Sequence, residues 1–112
     1  MKLPGAEQAV IDPTKIHGYL LSPEHPVGRF KARFFRSLGY SNENWQRLET
    51  DFRNLVTTQD ATAGQTSTFG QKYEVCGILE GPDKTAAVTT VWIVRPGEGT
   101  PRFITAYPGG DE

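Results

Sequence analysis

The hydrophobic period changes once along this chain. Up to Leu55 apolar residues recur at three- and four-residue spacing, and from Gln71 onward they alternate with their neighbours. The first spacing belongs to helices with one buried face, the second to strands. Helices followed by strands joined through tight turns predict an α+β fold. About three N-terminal helices should pack on one face of a C-terminal antiparallel β-meander. At 112 residues a single domain, 1–112, with a substantial core is expected.

Residues 1–11 read as a loop with a short extended piece around Gln8–Ile11. Asp12-Pro13 starts the first helix: an acid at the N-cap, then proline at the first helical position. It runs through about Leu21, burying Ile16, Leu20 and Tyr19, and Ser22-Pro23 ends it. Glu24-His25-Pro26 connects to a second helix from Val27 or Gly28 to Leu38, capped by Gly39. A third helix is expected from Ser41, with Trp45, Leu48, Phe52 and Leu55 forming its apolar stripe. The stretch from Thr57 to Gly70 is Thr, Gln, Ala, Gly and Ser with no surviving period, which predicts a long polar loop. Strands follow at Gln71–Glu80, Thr85–Arg95 and Arg102–Tyr107, separated by Gly81-Pro82-Asp83-Lys84 and Pro96-Gly97-Glu98-Gly99. Both faces of Thr85–Arg95 are apolar, as in a central strand. In the last strand Phe103, Thr105 and Tyr107 fall on one side and Arg102, Ile104 and Ala106 on the other.

The second helix carries an anomaly. With Arg29 at zero, Phe30, Phe34, Leu38 and Phe35 lie near ~100°, ~140°, ~180° and ~240°, one wide apolar face. Lys31 lies near ~200°, in the middle of it. Arg29, Arg33 and Arg36 cluster within roughly 60° on the other side. Lys31 therefore either snorkels past the helix end, its stem covering apolar surface, or reaches a cleft.

Net charge is −1, so no global field announces a nucleic-acid or membrane partner. The segment 29–36 nevertheless holds four cations and no acid. Cys76, the only cysteine, allows no internal disulfide and no Cys-cluster metal site. Its strand position suits a packed thiol. His17 and His25 are the only histidines, and no carboxylate pair stands at ligand spacing to them, so neither metal nor cofactor is expected. There is no nucleophile elbow and no phosphate-cradling glycine loop ahead of a helix. No apolar run reaches signal-peptide or membrane-span length, so no membrane partner is expected. The expected location is the cytoplasm, or a target cell reached as part of a larger secreted protein.

What remains is a polar set able to handle a phosphodiester without metal: His25, Arg29, Lys31, Arg102, Thr105 and Tyr107. Such chemistry wants a base for a ribose 2′-OH, cations for the pentavalent phosphate and an acid for the leaving oxygen. Histidine serves either proton role near neutrality. Arginine presents a fork to phosphate and lysine a point charge. Tyr107 suits base stacking or proton donation. Each also has a structural role open to it: His25 shaping the start of the second helix, Arg29 pairing with Glu24, Arg102 as an exposed edge charge. His17 suits a half-buried helix position, and Trp45 and Trp92 suit the core.

Several motifs occur in order: Lys2-Leu3-Pro4; His25-Pro26-x-Gly28-Arg29-x-Lys31-Ala32-x-x-Phe35; Tyr73-x-Val75; Trp92-Ile93-Val94-Arg95-Pro96-Gly97-Glu98; Pro101-Arg102. Together they resemble a small bacterial domain family of unknown function. More loosely, helices followed by a meander ending in Ile104-Thr105-Ala106-Tyr107-Pro108 resemble the barnase–EndoU–colicin–RelE group of metal-independent ribonuclease toxins. That resemblance implies an endoribonuclease toxin domain cleaving RNA by 2′-OH attack. It implies His25 as base or acid, Arg29 and Lys31 as phosphate cations, and Thr105 and Tyr107 as positioning residues. Arg33 and Arg102 would contact the RNA, and a cognate immunity or antitoxin protein would be the partner. The rival expectation is a non-catalytic protein-interaction module, immunity-like or accessory, using the arginine stripe and the open sheet face.

Overall fold

The computed structural model describes residues 1–109. Among these, three helices precede a four-stranded antiparallel sheet, the expected α+β arrangement. Helix α1 (residues 13–20) opens with the Asp12 carboxylate accepting the Thr14 N–H at 3.0 Å and Pro13 at its first position. It is α-helical only over Pro13–Lys15 and passes into a π-turn over Ile16–Leu20. The Arg36 guanidinium donates twice, at 3.2 Å, to the Leu21 carbonyl beyond that turn. Helix α2 spans Arg29–Ser37 and ends at Gly39, whose φ of 104° suits glycine. Helix α3 spans Trp45–Thr58 and buries Leu48, Phe52, Leu55 and Val56. It starts later than Ser41, because Ser41 and Asn44 close a polar turn: Asn44 Oδ1 accepts the Ser41 N–H at 2.6 Å.

The strands β1 (Ala61–Ser67), β2 (Gly70–Glu80), β3 (Thr85–Val94) and β4 (Arg102–Pro108) form a meander in sequence order. The expected polar loop at 57–70 is thus largely a strand. Only Ala61 of β1 is buried and its other six residues are exposed, so burial leaves no alternating signature there. Main-chain pairing with β2 holds this edge instead.

The helices cover one sheet face, where Val75, Leu79, Val88, Trp92, Phe103 and Ala106 are buried. Aromatic rings link the layers. Phe35 of α2 meets Phe52 of α3 edge-on at 6.1 Å, Phe52 stacks on Phe103 at 5.3 Å, and Trp92 meets Phe103 edge-on at 5.3 Å. Each such pair contributes about 0.5–1.5 kcal/mol beyond its buried area. At Gly77 a Cβ would stand 3.2 Å from the Leu55 side chain, so α3 needs the missing side chain to pack this closely on β2.

Two expectations about side-chain direction are corrected. Phe30 was placed on the apolar face of α2, but it is 71 % exposed, and the buried positions are Ala32 and Phe35. The core meets α2 through Ala32 and Phe35, with Phe34 packed beside them, and Phe30 lies outside that side. In β4, Phe103 does not share a face with Thr105. The register runs Trp92↔Phe103 and then Val91↔Thr105, so Ile104 is an extra residue, a β-bulge. Phe103 and Ala106 are consequently both buried.

The buried Thr90 hydroxyl accepts the Trp92 indole N–H at 2.8 Å and donates to the Val75 carbonyl at 2.9 Å. Thr90→Val keeps the shape and orphans that indole donor, at a cost of about 1–3 kcal/mol. Urea unfolding should show a lower midpoint with an unchanged m-value.

Candidate functional site

The lysine in the apolar face of α2 does not snorkel away. Its Nζ donates to the Thr105 hydroxyl of β4 at 2.7 Å. The same hydroxyl oxygen stands 3.1 Å from the Tyr19 phenol oxygen, and Lys31 Nζ lies 5.5 Å from the Tyr19 ring centre. Three elements thus deliver one polar cluster. The bulge at Ile104 gives Thr105 its direction, for without it Thr105 would follow Phe103 into the core. Gly28 lets α2 approach α1, since a Cβ there would sit 2.1 Å from the Tyr19 carbonyl oxygen. The cluster borders an open depression of about 600 Å³, lined in part by Lys15, Tyr19, His25, Val27 and Thr105.

The electrostatics single out Tyr19. Burial opposes ionisation of its phenol, but the Thr105 hydrogen bond and the Lys31 ammonium outweigh it and bring the phenol below its ordinary value. Two other tyrosines go the opposite way. Burial and the Asp51 carboxylate raise the Tyr40 phenol, and burial and Glu74 raise that of Tyr107. An ammonium has no acceptor capacity, so Lys31 must donate to Thr105, whose own hydroxyl proton can point to Tyr19. The chain Lys31→Thr105→Tyr19 therefore stabilises a phenolate. The ammonium also bears directly on the Tyr19 phenol.

His25 adjoins the cluster, its ring 5.0 Å from that of Tyr19 and edge-on to it. Its Nδ1 accepts two backbone N–H groups, from Val27 at 3.0 Å and Gly28 at 2.9 Å. That fixes the neutral ring with its proton on Nε2. In this form Nε2 donates and does not accept, which is the wrong arrangement for a general base. It also satisfies amides at the start of α2, as an N-cap does.

The other sequence candidates lie elsewhere. Arg29 stacks over the Phe30 ring at 4.8 Å. Together with Arg33 and Arg36 it lines a different depression. Arg102 is held by Glu98 through two hydrogen bonds of 3.2 and 3.1 Å, a fork–carboxylate pair that leaves less of it for RNA. The Tyr107 hydroxyl donates to Glu74 at 3.2 Å, across the outer sheet face. Thr105 and Tyr107 pair with Val91 and Thr89 on β3, yet their hydroxyls serve separate sites. Tyr19 was missed as a functional candidate because its helical spacing spoke only of burial. The π-turn that carries it has no sequence signature. Among the described residues no three His, Cys, Asp or Glu side chains cluster, and no helix is long and apolar enough to cross a membrane.

Residues 2–110 match the family model of DUF6883, a domain of unknown function. The chain belongs to this family. No curated protein and no solved structure matches it. The DUF6883 span includes Tyr19, His25, Lys31 and Thr105, so the whole cluster lies inside the family's domain.

His25→Ala should cost about 0.5–2 kcal/mol in urea unfolding, the value of a helix cap, and His25→Asn should recover part of it. Long-range ¹H–¹⁵N NMR at neutral pH should find the imidazole proton on Nε2.

Proposed function

We propose that this chain is a metal-independent endoribonuclease domain of toxin type whose proton-transfer group is Tyr19. The observation that carries the reading is the convergence of Lys31, Thr105 and Tyr19 within 2.7 and 3.1 Å beside an open depression. The Thr105 hydrogen bond and the Lys31 ammonium favour the ionised phenol, the form that can accept a proton. In the proposed step the Tyr19 phenolate takes the ribose 2′-OH proton. The 2′-oxygen bonds to phosphorus and the P–O5′ bond breaks. A 2′,3′-cyclic phosphate and a 5′-hydroxyl result, the leaving oxygen taking its proton from water. The Lys31 ammonium meets the charge that develops on the phosphate, and His25 Nε2–H donates to a phosphate oxygen. Thr105 positions both partners. A toxin of this kind requires a neutralising immunity or antitoxin protein.

The rival reading, a non-catalytic interaction module, draws on the exposure of Phe30 among arginines. Capture of one protein partner that survives Tyr19→Phe and Lys31→Ala, with no RNA cut, would select it.

The test is incubation of the purified domain with total RNA and tRNA in EDTA. Tyr19→Phe should lower cleavage by about 10²–10⁴-fold, the usual worth of a general base. Lys31→Ala should lower it by about 10²–10³-fold. Absence of wild-type cleavage above the Tyr19→Phe level sinks the proposal.

The pH profile is a second check. A base works ionised, so cleavage should climb about tenfold per pH unit and level off at the lowered Tyr19 value. Lys31→Ala removes the charge that lowers it, so the residual activity should level off at higher pH.

A further inference from the structure

The outer side of α2 does something the cleft does not explain. Phe30 is 71 % exposed. Arg29, Arg33 and Arg36 flank it at positions i−1, i+3 and i+6, all solvent-exposed. Among the described residues none of the three has a carboxylate within 4.0 Å. The Arg29 guanidinium lies over the Phe30 ring at 4.8 Å, so a flat cation and a flat ring already form one platform. A shallow depression of about 640 Å³ runs beside it, with Pro23 and Ala32 among its walls. Arg36 is anchored by its two bonds to the Leu21 carbonyl, while Arg29 and Arg33 keep their donors for a ligand.

We propose that this face of α2 is a stacking subsite for single-stranded nucleic acid. An unpaired base lies on Phe30, and the neighbouring phosphates are held by Arg29 and Arg33. Aromatic rings interleaved with cations are how proteins bind single strands, because every base has a π-face and every linkage a charge. A duplex hides its base faces in the stack, so the platform selects against it. A protein partner fits less well, because the three flanking charges are all of one sign, as a polyanion requires. The choice of RNA over DNA rests on the ribonuclease reading of the adjacent cleft, where a 2′-hydroxyl is consumed. Arg29 and Lys31 lie on opposite sides of α2, so the platform and the Tyr19 cluster are separate surfaces with no wall residue in common.

The probe is a fluorescent 2′-O-methylated oligoadenylate, which cannot be cut by 2′-attack, titrated with the full chain by anisotropy. Phe30→Ala should weaken binding about 5- to 100-fold, and Phe30→Trp should restore it. Arg33→Ala should reduce the slope of log K against log salt by about 0.7, one phosphate's share for a single strand. Oligodeoxyadenylate should bind with the same dependence on Phe30, and an RNA duplex with none. An unchanged thermal melt of Phe30→Ala excludes unfolding. The subsite is overturned if wild type does not bind the single strand. It is equally overturned if Phe30→Ala binds as wild type does, or if duplex or polyglutamate binds as well as the oligonucleotide. Cleavage of a dinucleotide, too short to reach Phe30, is measured in parallel. If it is cut while Phe30→Ala has no effect on binding, the subsite falls and the ribonuclease reading stands. If it is not cut, nor any longer RNA, while binding depends on Phe30, the ribonuclease reading falls and the surface remains a single-strand binder.

Discussion

Phe103 is where the layers meet. Its ring stacks on Phe52 of α3 and receives the edge of Trp92 from β3, and Phe52 in turn meets Phe35 of α2. Such a ring can point inward only if the backbone of β4 is in the right phase at residue 103. The bulge at Ile104 then resets that phase, which lets Ala106 return to the core while Thr105 turns to the rim. One extra residue in an edge strand therefore serves packing on its N-terminal side and a polar cluster on its C-terminal side.

That cluster depends on two more local irregularities. The π-turn sets where Tyr19 emerges from α1, and the missing side chain at Gly28 sets how near α2 comes to it. Both are places where regular geometry gives way to position a particular group, as is common at functional sites. The α2 start is also closed by His25, whose ring caps amides rather than leaving them for an anion. Charge at this end of the molecule comes from side chains, Lys15 in the cleft wall, Lys31 on Thr105 behind it, and Arg29 and Arg33 on the outer side.

Much of this was legible in the amino-acid order. The single change of hydrophobic period places the helices, the meander and its central strand, and Lys31 on an otherwise apolar face of α2 points to the contact it makes with Thr105. Other features leave no mark in that order. Strand β1 is polar and held by main-chain bonds, so it carries no alternation to read. A bulge changes side-chain parity without changing composition, and so the facing of Thr105 and Phe103 was read wrongly. Tyr19 looks like any helical aromatic until its neighbours from two other elements are known. The two amides that His25 Nδ1 accepts are likewise invisible in the sequence, where the residue shows only that it precedes a proline.

The pairing of Lys31 with Tyr19 through one hydroxyl has a thermodynamic consequence. The same ammonium that attracts an anion also keeps the phenol acidic. An anion that settles on Lys31 spends part of that field, and the phenolate it leaves behind holds a proton more strongly. Occupancy and proton affinity are therefore linked in both directions: an ionised Tyr19 weakens the grip on an anion, and a bound anion makes Tyr19 the stronger base.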